Sequence, residues 1–529
     1  MTMSRWIKAV GALAALLGSM PVALAQDAKP VRGGTLNYGV AGGPHTLDCH
    51  AGNSFAVLHH LGPHYSTLLK IDNKNYPKVT GDLAESWTVS DDHLTYTFNI
   101  RPNVKFHDGT PLTSEDIRAS FERIMNPPPG IVSSWRSQYS DVKSVEAPDK
   151  DTVVFHMSAP NSGMLSIFAS PWACIYSAAK LKEDPKYPEK TVMGTGPFQL
   201  VEYVPGSHWT GKRFDGYFRP GLPYLDGFKA IALSSTALIN ALAGGQIDAE
   251  FRGVAPADQQ RIQASRGAGM RFEEAEGMGL FMVSFNTKVK PFDDVRVRRA
   301  LTLAVDRWSG IQPMSRISTL KYVSAFQRPG APDALPQAEL EKLPGFGRDI
   351  KAARAEAKRL LAEAGVPNLK FTLINRGPDM PYAPFALYVI DQWRQIGVTV
   401  DQQVVDTANW AQRRTSGNFS VIVDVTGDWG EDPSFVLVRY LSASNSFNNP
   451  TGFDDPKIDA MFQAQKLEFD PVKRKQKVNE LESYIVDQVF TMPVFRTVRL
   501  LPLATKVKNF DVVPAHIYYG DLSEVWLSP

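Results

Sequence analysis

The 529-residue chain holds only two cysteines, Cys49 and Cys174. Without a C-x-x-C spacing there is no dithiol redox motif and no cysteine-built zinc site. In an oxidising compartment the two thiols can pair, and two separate buried thiols are the other reading. A charge excess is missing too. There are 57 Lys+Arg and 55 Asp+Glu. The surplus of two is Arg5 and Lys8, in a leading stretch of 25 residues that holds no acid. The remaining chain is electrically balanced, which argues against a general nucleic-acid binder. After that stretch no segment reaches the roughly 18 consecutive apolar residues of a membrane-spanning helix. Catalytic signatures are absent: there is no HExxH, no P-loop and no GxSxG. Gly194-Thr195-Gly196 lacks the third glycine of a dinucleotide fingerprint. Gly52-Asn53-Ser54-Phe55-Ala56 lacks the second glycine of a nucleophile elbow. An exported hydrolase is therefore disfavoured. Internal repeats and low-complexity tracts are also lacking.

The leading stretch reads as an export signal. Arg5 and Lys8 form a positive start, Ala9 to Leu17 a short apolar core, and Ala23-Leu24-Ala25 a small-x-small cleavage site before Gln26. With no cysteine at the cut, a lipid anchor is not expected, and the mature chain is expected to be free in the periplasm. Its composition, 43% hydrophobic and 21% charged over the full chain, is that of a globular protein. Its length suits about three or four domains at roughly 100–200 residues each.

Periodicity indicates mixed α/β structure. Thr35 to Val40 reads as a first strand. Trp87 to Val89 and Leu94 to Ile100 read as strands around the Asp91-Asp92 turn, the second with alternating apolar residues. Thr113 with Asp116 opens a helix of the capping-box kind, with Ile117, Phe121 and Ile124 as its apolar stripe and Pro127 to Gly130 as its stop. Further helices are expected over Asp293 to Arg307, Ile350 to Ala364 with Gly365 behind it, and Glu468 to Val489. A Pro-rich loop runs from Arg328 to Gly347. Phe371–Ile374 and Val421–Val425 read as strands. Five of the ten histidines, His45, His50, His59, His60 and His64, crowd into one segment. His60 and His64 have helix-face spacing, but Pro63 stands between them. The expectation is polar residues in a loop or at a cleft edge, with a metal or metal-chelate site as the alternative.

Several motifs together resemble one family. Gly81-Asp82-Leu83-Ala84-Glu85-Ser86-Trp87 is followed by Val104-Lys105-Phe106-His107-Asp108-Gly109-Thr110-Pro111-Leu112-Thr113. Gly194-Thr195-Gly196-Pro197-Phe198 comes next, then Pro291-Phe292-Asp293-Asp294-Val295-Arg296-Val297-Arg298-Arg299-Ala300-Leu301, and last Ala357-Lys358-Arg359-Leu360-Leu361-Ala362-Glu363-Ala364-Gly365. This ordered set resembles the bacterial solute-binding proteins of the oligopeptide, dipeptide and nickel-binding family, which serve ABC importers. Most of these residues read as structural: Trp87, Phe98 and Phe106 as core, Asp108-Gly109 as a turn, the Arg-rich helix as a solvated or ion-paired surface.

The resemblance implies an α/β periplasmic-binding-protein fold of two hinged lobes with an inserted third domain. Lobe I would combine residues 32–70, 192–284 and 495–529, the inserted domain would span 71–191, and lobe III 285–494. It implies a passive receptor that closes on a solute and hands it to membrane permease subunits with their ATPases, needing no catalytic group and no cofactor, as a monomer. In dipeptide-binding relatives an Arg holds the ligand carboxylate and an Asp its amino group. Arg376, after the strand Phe371–Ile374, and Asp428, in Thr426-Gly427-Asp428-Trp429-Gly430, are the matching charges. Trp429 offers a stacking surface, Thr426 and Gly427 flank the Asp, and Asn53 and Ser54 are the lobe I candidates. Val425, where an aromatic precedes this run in the dipeptide binders, and the histidine segment both depart from that pattern. A metal-chelate or haem import receptor, or a sensory binding protein, therefore stays beside a receptor for a small peptide-like or amino-acid-derived solute.

Overall fold

A computed structural model of the chain describes residues 29–377, 380–427, 430–446 and 449–529. The export signal lies outside the described residues, as do Asp428 and Trp429.

One large mixed sheet organises the molecule. Its strands lie in the order Thr399–Val405, Lys370–Arg376, Val421–Val425, Met270–Phe285, Thr491–Ala504, Ala249–Glu250, Thr35–Val40, Gly227–Ala232, His208–Arg213 and Phe198–Val204, and Leu320–Tyr322 adds to the Thr491 strand. Two strands are much longer than the rest, Met270–Phe285 and Thr491–Ala504. They pair antiparallel from Met270↔Ala504 to Ser284↔Thr491, with register breaks between Glu276 and Leu280 and between Phe281 and Met282. The apolar core divides at the first break. Met278 belongs to the same buried cluster as Leu36, Val57, Phe98, Leu501 and Leu503, whereas Leu280 belongs to the cluster of Leu301, Phe371, Val421 and Phe495. A shift in pairing register turns side chains to the other face of a strand, so one strand serves two cores.

A separate four-stranded antiparallel sheet is built from Ala84–Val89, Thr95–Ile100, Thr152–Met157 and Val142–Asp149. Phe98 and Phe106 are buried in the first core, and Trp87 is half-buried against it. Across this sheet lies the helix Ser114–Met125. Thr113 and Asp116 form its capping box, and Ile117, Phe121 and Ile124 are buried. Ile350–Glu363 ends as its sequence indicates, with Gly365 at φ +74°. The segment Asp293 to Arg307 differs from expectation. It holds the helix Val295–Leu303 and the start of a second, Arg307–Ile317, capped by the Asp306 carboxylate on the Ser309 N–H. The long C-terminal helix starts later than expected, at Pro471.

One reading of the motifs needs correction. Arg298 is not a surface charge. It is buried and donates to the carbonyls of Phe292, Asp293, Gln488 and Val489, tying a helix to a strand entry. Burial lowers its pKa to about 10. The Gly-Thr-Gly-Pro-Phe run is a packing device. A Cβ at Gly194 or Gly196 would overlap the backbone carbonyl group of His64.

The histidine segment is a loop only in part: His45 and His50 lie in the irregular stretch before the first helix, whereas His59, His60 and His64 do not. Phe55–Leu61 is helical and continues as a 3-10 turn over Gly62–His64, which accommodates Pro63. His50, His59, His60 and His64 are buried, and His45 alone of the five is not. His60 Nδ1 donates to the Ala56 carbonyl at 2.6 Å. His64 Nδ1 donates to the Phe198 carbonyl at 2.7 Å while its Nε2 accepts from Trp209 at 2.9 Å. Burial lowers His64 to about 3, so it is neutral at any physiological pH. Among the described residues no group of three or more His, Cys, Asp or Glu is placed to hold a metal ion.

Candidate functional site

In open α/β sheets, the loops that leave the carboxyl ends of strands frame ligand crevices. Arg376 is the last residue of the strand Lys370–Arg376. Its Nε donates to Thr407 Oγ1 at 3.0 Å and its Nη1 to the Tyr382 hydroxyl at 2.8 Å. The guanidinium carbon lies 5.2 Å from the Tyr382 ring centroid and 5.5 Å from that of Trp410. Two aromatic faces and two hydroxyls hold the cation, and among the described residues no carboxylate pairs with it. Such a guanidinium retains its fork for a planar acid.

Thr426 follows the strand Val421–Val425 and is buried. Its Oγ1 donates to the Met278 carbonyl at 3.0 Å and accepts from the Leu280 N–H at 2.9 Å. The hydroxyl bridges the register break in the crossing strand and fixes where the following loop starts. Gly427 is half-buried beside it. Asp428 and Trp429, the next two residues, lie outside the described residues.

Sequence reasoning missed the charge one strand residue earlier. Asp424, fully buried within Val421–Val425, takes Arg439 on Oδ2, Arg414 Nε on Oδ1 at 3.2 Å and the Ser284 hydroxyl at 3.1 Å. Burial would raise this carboxyl, but the charges of Arg439 and Arg414 overcome it and set its pKa at about 2. Despite burial, Asp424 also raises Arg439, whereas burial lowers Arg414. The signal was an acid in an otherwise all-valine-and-isoleucine strand, which only paired burial explains.

In the first half of the molecule, Ser54 is the N-cap position of the helix Phe55–Leu61, and its Oγ lies 3.3 Å from His45 Nδ1. Asn53 beside it is exposed. The loop that carries them is anchored in four ways. Cys49 and Cys174 are joined as a disulfide. Asp48 and Arg123, both buried, pair at 2.6 Å. His50 Nε2 donates to the Cys174 carbonyl at 2.9 Å, and burial lowers that ring to about 4. Trp135 Nε1 adds a bond to the Gly52 carbonyl at 2.8 Å.

Contacts bridge the two cores. The Tyr76 hydroxyl donates to Glu431 at 2.9 Å, and Arg328 spans Glu431 at 2.6 Å and Glu276 at 2.8 Å. Lys466 pairs with Asp141 at 2.7 Å, and the His93 ring stacks on Phe469 at 3.5 Å. These contacts join segments of the chain that are far apart in sequence. A cavity of about 340 Å³ lies elsewhere, lined by Lys70, Asp82, Arg219, Tyr217, Asp521 and Glu524 among others, and holds none of the expected site residues.

Residues 78–448 match the model of the bacterial extracellular solute-binding proteins, family 5. The chain belongs to this family. It is a solute-binding receptor of the kind that serves ABC importers, with the two-lobed periplasmic-binding-protein fold. Among relatives, heme-binding protein A of Haemophilus influenzae is 27% identical over 480 residues, 85% of this chain and 84% of its own length. The dipeptide-binding protein of Escherichia coli is 26% identical over 485 residues, 85% of this chain and 87% of its own. The solved ABC transporter substrate-binding protein CtaP of Listeria monocytogenes superposes with a TM-score of 0.81 at 23% identity, covering 94% of this chain and all of CtaP.

Proposed function

We propose that this family 5 receptor captures an amino-acid-derived or small peptide-like solute between its lobes, in the periplasm, and delivers it to inner-membrane permeases with their ATPases, as a monomer and without catalysis. Arg376 carries the reading. A guanidinium fixed at a strand end on Tyr382 and Trp410, with no described carboxylate partner, suits a ligand carboxylate. Asp428 would take the ligand's amino group, with Trp429 as its stacking surface and Thr426-Gly427 setting the loop. Asn53 and Ser54 would close from lobe I. The lobes would rotate about the crossing strands, with the register break between Glu276 and Leu280 as the bending point. Differential contact in the closed form is what drives such a rotation. The relatives named for dipeptides support this solute class. The haem alternative loses its main support, since the rings of His50, His60 and His64 are engaged inside the core.

Asp428→Ala should weaken an amine-bearing solute by about 2–5 kcal/mol, the cost of stranding a buried charge. A thermal-shift screen over dipeptides, carboxyalkyl amino acids, sugars and metal chelates finds the solute, and calorimetry on the variant follows. Unchanged affinity removes Asp428 from the site. A shift from sugars or chelates alone refutes the solute class.

A further inference from the structure

The second core holds an acid that neither the cleft nor the ion pairs above use. On the helix Pro471–Gln488 the buried face is Val478, Leu481, Glu482, Ile485 and Val486. A carboxyl group in such a stripe is costly unless it is partnered. Glu482 is 1% exposed and satisfies one oxygen only, its Oε1 accepting the Gln327 N–H at 2.7 Å. Its Oε2 has no hydrogen-bond partner among the described residues. The same is true of Nε2 of Gln327, which is 6% exposed. Both residues line one cavity of about 400 Å³, within the roughly 300–1,000 Å³ of small-molecule sites. Trp308, Ile311, Leu335 and Leu340 give it apolar walls. Its lining includes exposed Lys321 and Pro329, so it opens to solvent.

The cations near this cavity are already engaged. Lys321 pairs with Glu274. Arg496, buried, donates to Ser324 Oγ and to the carbonyls of Met278, Ala325 and Phe326. Burial raises Glu482 to about 7, against the pull of the Gln327 and Phe326 N–H groups and of the Arg496 charge. Near neutral pH its carboxyl is therefore uncharged in about half of the molecules, and an occupant need not bring a positive charge. What the cavity calls for is an acceptor for Gln327 Nε2 and a partner for Glu482 Oε2, on an otherwise apolar body. A carboxamide carries both, its C=O for the one and its N–H for the other. Arg376, Tyr382, Thr407, Trp410 and Thr426 are not among the lining residues.

We propose that this cavity in lobe III is a second small-molecule site, separate from the cleft, which takes an uncharged carboxamide on a small apolar body between Glu482 and Gln327. It does not rest on the solute class proposed for the cleft. Benzamide is the probe, titrated by calorimetry into the full mature chain. N,N-dimethylbenzamide, which lacks the N–H, and benzylamine, which carries a cation instead of the amide, are its comparisons. Benzamide should bind at about millimolar affinity or tighter, and about tenfold more tightly than either comparison. In Glu482→Gln the Gln327 N–H keeps the new amide's oxygen, so a donor replaces the free acceptor, and benzamide should fall to the level of the dimethyl compound. Gln327→Leu should weaken both amides alike, by about tenfold. It should not lower the melting temperature of the ligand-free chain, because it removes an unpartnered buried amide; a purely structural Gln327 would lower it. Arg376→Met, which acts in the cleft, should change neither amide. Should Glu482→Gln fail to fold, Gln327→Leu decides alone. Benzamide affinity unchanged in Gln327→Leu, tighter binding of benzylamine, or loss of benzamide binding in Arg376→Met overturns the site. So does the lack of benzamide binding at about 10 mM, which would leave the two groups to water alone.

Discussion

Replacing Asp424 by Asn removes one charge from a buried cluster and leaves its shape. In the native chain the carboxylate faces Arg439 and Arg414 with no exposure of its own. An amide there removes the carboxylate that Arg439 and Arg414 share, at a cost of about 3–5 kcal/mol near neutral pH. Displacement of the pKa from 3.8 to about 2 is worth roughly 2–3 kcal/mol. A depressed folded-state pKa means that this stability is complete above the unfolded value of 3.8 and is lost as the pH falls through about 2. Urea unfolding of wild type and Asp424→Asn between pH 7 and pH 2 measures both quantities. The gap between the two proteins should hold constant from pH 7 to about pH 5 and then shrink by roughly 2–3 kcal/mol. A gap that does not change with pH, or one under 1 kcal/mol at pH 7, would refute the charge-pairing account of this strand.

Other perturbations reach different parts of the argument. The Cys49–Cys174 bond closes a loop of 125 residues, so Cys49→Ala with Cys174→Ala should lose about 4–5 kcal/mol of stability. It should also loosen the Asn53–Ser54 loop, seen as faster amide exchange there; unchanged melting refutes its role as an anchor. In the proposed closing motion, Lys466→Ala would remove a largely buried pair with Asp141 that spans the lobes. It should favour the open form by about 1–2 kcal/mol, read as faster solute release in stopped flow and a larger scattering radius without solute. Identical kinetics would mean that the pair does not hold the cleft. Gly194→Ala should destabilise the chain by ~1–3 kcal/mol, because the backbone at His64 must shift to admit the methyl; a neutral effect in thermal melts refutes the packing role.

Local signals were legible where local physics decides them. Strand alternation in Thr95–Ile100 and the Thr113–Asp116 box each set one element, and both hold in the fold. The family motifs carried the architecture. What stayed hidden depends on partners distant in the chain. Arg298 looks like surface until the carbonyls of Gln488 and Val489 arrive beside it. The histidines look available until Phe198 and Trp209 claim His64. Asp424 needs Arg414 and Arg439, ten and fifteen residues away, and neither spacing is a motif. Arg376 could be singled out because a charge at the end of an apolar strand is informative by itself. The aromatic cradle around it, Tyr382 and Trp410, comes from two different helices and had no such marker.

The way the core divides at Met278 and Leu280 also orders the chain in time. Everything the second core contains lies in one unbroken run, Leu280 to Phe495, whose ends are neighbouring strands. That run can condense on its own once it has been made or passed through a membrane pore. The first core joins Leu36 and Tyr38 to Leu501, Leu503 and Val525, residues from opposite ends of the chain, and such distant pairings form late. A chain ending just before Leu501 should therefore keep a protease-resistant second core and lose the first. Newly exported molecules would pass through that same half-finished state, able to offer Arg376 but not yet a lobe to close over it.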